Sequence, residues 1–216
     1  MEAKTSPRNK RELIAVLLTA FGKFLFMDYL EWRFFFVSTA TLLWLSYIFY
    51  QKRSNPEVLR EWGFRADNFG TTLRLVLPFG ILALLAMIII GYFRSTLNPS
   101  WHLLPVLITY PLWGMIQQYL LIALLAGNLR RIDRPVLSKA TVIGLTALLF
   151  AAIHYPIWPL IGATFVLALF YGYIYLKEPN IYVLGLFHGW LGGFFYYTVM
   201  NVDPFLNTFG NLIYGS

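Results

Sequence analysis

Two histidines stand inside apolar sequence, His154 in ALLFAAIHYP and His188 in YVLGLFHGWLGG. Imidazole can take up a proton, ligate a metal or orient a hydrogen bond near neutral pH. An ionisable side chain within a membrane segment is a functional-site signal. Phe150 stands four residues before His154, one helical turn away and on the same face. Upstream of both histidines, Gln117 and Gln118 interrupt the run PLWGMIQQYLLIALLAG. Glutamine donates and accepts hydrogen bonds and can orient water, but it takes up no proton at neutral pH. Neighbouring helix residues point about 100° apart. The two amides are therefore expected to aim differently, one into the bundle and one at a neighbouring helix. As structure, such residues are interhelical hydrogen-bond glue worth ~0.6–2 kcal/mol each. As chemistry, they line a polar cavity shared with the histidines.

The residue types also restrict the chemistry. The chain has no cysteine, so it offers no thiolate nucleophile, disulfide or sulfur-ligated metal. A zinc site normally takes three or four protein ligands, and no Asp or Glu falls inside the later apolar segments. His102 is expected at the far end of its segment, away from the other two histidines. Neither metal nor cofactor is expected on this reading. Haem held by two histidines from different helices is the cofactor-bearing alternative.

The elements that must position these residues are membrane helices. Of 216 residues 58% are hydrophobic and 12% charged, against about 25% charged in soluble domains. About seven apolar segments approach or exceed the length of a span, roughly 13–30, 34–50, 74–93, 103–126, 140–155, 159–176 and 181–200. The first is the weakest, because Lys23 and Asp28 lie within it. The basic N-terminus is read as the start of a retained helix, since no small-residue cleavage site follows. With the N-terminus in the cytoplasm, 14 of the 17 Lys and Arg fall on that side. Lys23, Arg33 and Arg94 are the exceptions. The bias supports seven spans and an outside C-terminus. The net charge of +7 fits anionic lipid headgroups and needs no nucleic acid.

The expected fold is all-α, a polytopic transmembrane helix bundle. Residues 1–53 hold a basic tail and two leading helices, 54–200 the helical core, and 201–216 a short tail. Within the core, SNPE at 54–57 starts a short surface helix that Gly63 ends. Pro111 should bend the fourth span, and YPIWP at 155–159 should turn after the fifth. Gly185, Gly189 and Gly193 form a small-residue face that permits close helix approach. Rise per residue puts His154 about 20 Å and His188 about 10 Å from their own cytoplasmic span ends, which leaves open whether the two share a site.

The pattern resembles the CPBP intramembrane proteases, also called the Abi or CAAX-protease family. That family carries Glu-Glu-x-x-x-Arg, then Phe-x-x-x-His, then a second His with Asn four residues later. Gln117 and Gln118 stand at the glutamates and Ile122 at the arginine. Phe150 and His154 match the second motif, His188 matches the third, and Gly192 stands at the Asn position. The resemblance covers roughly residues 54–200. It implies a CAAX-protease-like core, with Gln117, Gln118, Phe150, His154 and His188 at the catalytic positions. In the family the first glutamate activates water, and here the base is gone. The resemblance therefore implies a catalytically degenerate pseudoprotease. Its partners would be the lipid bilayer and a membrane-embedded or prenylated protein. The alternatives are an active endopeptidase with a rearranged His/Gln site, and a transporter or haem-binding bundle. A short chain with minimal loops suits a bacterial plasma membrane.

Overall fold

The computed structural model describes residues 7–132 and 136–214. Lys4 and Arg134, both used in the charge count, lie outside the described residues. The described residues are helical, with no strand among them.

The first helix, α1 (Pro7–Gly22), widens into a π-helical stretch, Lys23–Tyr29. The second, α2 (Arg33–Ser54), leads into the short α3 (Glu57–Glu61), which ends at Gly63 with φ +87°. A Cβ at Gly63 would meet the backbone of Pro179 and Asn180 at 3.1 Å, so glycine serves both the turn and the close approach. Next come α4 (Phe69–Arg94) and α5 (Leu103–Gln118). The latter widens through a π stretch, Tyr119–Ala126, into the single turn α6 (Gly127–Arg130). Then follow α7 (Lys139–Ala152), α8 (Trp158–Lys177) and α9 (Ile181–Phe195), which continues as a π stretch, Tyr196–Met200. Where a short tail was expected, Pro204–Tyr214 forms α10.

Four helices are long and apolar enough to cross a membrane: Arg33–Ser54, Phe69–Arg94, Leu103–Arg130 and Trp158–Lys177. Lys139–Ala152 is a shorter apolar helix. The burial pattern is that of a protein in lipid. Leu18, Phe21, Leu42, Leu82, Leu104 and Ile108 are exposed, while Gln118, Asn128, Asn180 and His188 are buried. The chain is an integral membrane protein. Every residue of Tyr119–Ala126 is buried, as suits a helix that is apolar all round at the centre of a bundle.

One end of the bundle gathers the basic residues. There Arg8 pairs with Glu61 at 3.0 Å, Asn128 donates to Glu12 at 2.6 Å, and the Ile181 amide donates to the Gly63 carbonyl at 2.8 Å. Asn180 is fully buried beneath this surface. It donates to Arg65 O and Asn68 Oδ1 and caps α9 by accepting from Val183 N. Helix α9 thus starts below the 63–68 segment rather than level with the outermost residues of that end.

Candidate functional site

Helices α5 and α9 form the closest pair in the bundle. A Cβ at Gly185 would stand 2.5 Å from Met115 Cα, and one at Gly189 would stand 2.3 Å from Pro111 N. A Cβ at Gly114 would lie 2.5 Å from the Gly185 carbonyl oxygen. Only hydrogens fit at these three positions. Pro111, which has no N–H to crowd the contact, faces Gly189 directly. Trp190 Nε1 ties the pair further by donating to Leu107 O at 3.0 Å.

This approach carries His188 between the two glutamines. Gln118 Nε2 lies 2.9 Å from His188 Nδ1, and Gln117 Oε1 lies 2.8 Å from His188 Nε2. An amide nitrogen only donates and an amide oxygen only accepts. Nδ1 therefore accepts and Nε2–H donates, which fixes His188 as the neutral Nε2–H tautomer. The expectation that the amides point at different places is corrected. Their backbones diverge, but each side chain has three rotatable bonds, and the ring between them offers a nitrogen at each end. Gln118 Oε1 remains buried without a hydrogen-bond partner.

The fifth span also needs correction. Helix α7 ends at Ala152, so His154 lies in the following turn and not inside the helix. Its Nδ1 lies 2.7 Å from the Phe150 carbonyl oxygen, an acceptor. Nδ1 therefore carries the proton and Nε2 holds a lone pair. Phe150, 1% exposed, joins the two histidines. Its ring centroid lies 5.0 Å from that of His154 and 5.4 Å from that of His188. Phe150 thus brings together the two histidines whose relative depth the sequence left open.

The five candidate residues thus form one cluster with distinct hydrogen-bonding roles. His188 has both nitrogens engaged, so it can neither ligate a metal nor accept a proton without breaking the clamp. His154 has one nitrogen engaged. Among the described residues, no carboxylate hydrogen-bonds any of the five, and no three His, Cys, Asp or Glu side chains are grouped as metal ligands. Ile122 is fully buried in the π stretch, whereas a Cβ at Gly192 would meet nothing within 4 Å. His102 is remote from the cluster and pairs with Asp203 at 2.7 Å.

Residues 99–194 match the family model for type II CAAX prenyl endopeptidase, Rce1-like. That stretch is similar to the CAAX-protease family. All five clustered residues fall within the matched stretch, and α1 to α4 precede it. No curated protein and no solved structure matches the chain.

Sequence reasoning missed one group of contacts at the site. Lys23, in the π stretch after α1, reaches the turn that carries His154 and donates to Tyr155 O at 3.1 Å. The signal was present in the sequence, as a Lys and an Asp inside an apolar segment.

Proposed function

We propose that this CAAX-protease-like membrane protein is a pseudoprotease that binds a membrane-embedded or lipidated peptide without cleaving it. The observation carrying this reading is the clamp on His188. Peptide hydrolysis needs a base for water and donors for the developing oxyanion. Here the positions resembling the family's two glutamates carry amides, and both amides are committed to one imidazole. The network is neutral, and a carboxamide cannot take the water's proton. Losing a general base costs about 10²–10⁴-fold in rate. Losing an oxyanion donor, as at Gly192, costs about 10²-fold or more. What is left is a polar centre in an apolar bundle, whose unpartnered Gln118 carbonyl and His154 Nε2 can receive donors from a bound backbone.

One observation favours a second reading. His154 keeps an open Nε2 lone pair while Nδ1–H is held by Phe150 O, the arrangement of an imidazole general base. An endopeptidase using His154 as base and Gln117 to orient water would require it.

A prenylated peptide carrying a quenched fluorophore pair separates the two readings. With purified protein in bilayer discs, the pseudoprotease reading expects saturable binding and no increase in fluorescence above that of His154→Ala. Cleavage that His154→Ala abolishes would replace it with the second reading.

A further inference from the structure

We infer that Lys23 is a positioning residue for His154, so that the N-terminal helix, outside the family-matched stretch, completes the candidate site. The inference concerns the proposed site but holds whether or not that site turns over.

Lys23 and Asp28 are five residues apart, which in an α-helix would place them about 140° apart around the axis. The Lys23–Tyr29 stretch is π-helical, and its i→i+5 pattern stacks residues five apart. Lys23 Nζ therefore reaches Asp28 Oδ2 at 2.6 Å. The same ammonium donates to Tyr155 O at 3.1 Å and lies 4.6 Å from the Phe24 ring centroid. Its three neighbours are a carboxylate, a backbone carbonyl and an aromatic face. The side chains of Lys23 and Asp28 are only 20% and 32% exposed.

The carbonyl it grips belongs to the residue after His154. That turn has few other ties. It is closed by short-range backbone bonds, His154 N to Ala151 O, Tyr155 N to Ala152 O and Ile157 N to His154 O. Tyr155 and Trp158 themselves are exposed. The ring of His154 is aimed by its bond to Phe150 O, which depends on where the turn places its backbone. A charge pair inside an apolar segment is costly to keep, and here its ammonium grips the turn that carries His154.

The test is the rate at which diethyl pyrocarbonate modifies each histidine, read residue by residue by mass spectrometry of the whole chain in bilayer discs. The chain has three histidines, and His102, at its separate pair with Asp203, is the internal reference. Lys23→Met should raise His154 modification at least about threefold relative to His102, and Lys23→Arg should restore the wild-type ratio. Should Lys23→Met not fold, Lys23→Gln, too short for the same reach, carries the same expectation. An unchanged His154 ratio, or a rise shared equally by His102, overturns the inference. Since the reading is modification and not cleavage, it stands or falls separately from the pseudoprotease proposal.

Discussion

Replacing Gly189 by alanine should release His188 from its clamp, and the size of the effect follows from backbone geometry. The new Cβ would stand 2.3 Å from Pro111 N, 2.5 Å from Pro111 Cα and 2.5 Å from the Tyr110 carbonyl carbon. All three are backbone atoms, so no side chain can swing away. Ordinary carbon contact is about 3.5 Å, and α9 must retreat from α5 by roughly 1 Å. His188 is the residue before Gly189 and moves with it. Its bonds of 2.8 and 2.9 Å to Gln117 and Gln118 would then stretch beyond hydrogen-bonding range. Overpacking costs about 1–3 kcal/mol, and each lost bond adds about 0.5–1.5 kcal/mol. Gly192→Ala is the matched control, because its Cβ meets nothing within 4 Å. The assay is thermal unfolding in detergent together with the ¹⁵N spectrum of the His188 imidazole, whose two nitrogens report the tautomer. Gly189→Ala should lower the midpoint by several degrees and abolish the single Nε2–H pattern, while Gly192→Ala should do neither. A Gly189→Ala protein with an unchanged midpoint and spectrum would refute the claim that this contact seats the histidine.

Further outcomes follow from the same contacts. Glu12 is buried and accepts from Tyr47 at 2.7 Å and Asn128 at 2.6 Å. Glu12→Leu leaves the buried Asn128 donor unmatched, at about 1–3 kcal/mol, and removes an acceptor from the half-buried Tyr47 hydroxyl, so it should show as a lower unfolding midpoint. At the opposite end, burial alone would raise the Asp203 carboxyl. Hydrogen bonds from His102, Leu206 N, Ser100 and Tyr197 outweigh burial and hold it down at about 2. A depressed carboxyl stabilises the fold above its unfolded value and loses that contribution as pH falls through the folded one. Protease protection of α10 should therefore persist from neutral pH to about 4 and fade toward 2, and Asp203→Asn should lose protection already at neutral pH. Gly192→Asn should be tolerated on thermal unfolding, whereas Ile122→Arg, which puts a charge where Ile122 is fully buried, should be strongly destabilising.

Much of the architecture was legible because lipid imposes a simple pattern. Each apolar segment read from the sequence corresponds to a helix, and the glycine spacing at 185, 189 and 193 anticipates the α5–α9 contact. The candidate residues were legible as types and as a family pattern, but not as a geometry. That Gln117 and Gln118 meet on one ring depends on side-chain torsions, which helix phase does not determine. The ending of α7 at Ala152 depends on the turn after it, and apolar periodicity runs on through Ile153 without a break. Lys23 and Asp28 were visible as charges in an apolar segment, but their pairing was not, because the π-helical widening that stacks them leaves no mark in residue spacing. The low start of α9 is set by Asn180, whose partners Arg65 and Asn68 lie more than a hundred residues earlier in the chain.

The central claim is that the Gln117–His188–Gln118 centre binds without cleaving. The direct test is to compare protein termini, by mass spectrometry of membrane fractions, in cells with the chain, without it, and with His154→Ala plus His188→Ala. Identical termini in all three are the predicted result. Termini present with the wild-type chain and missing from both other strains would contradict it and make the protein a working protease.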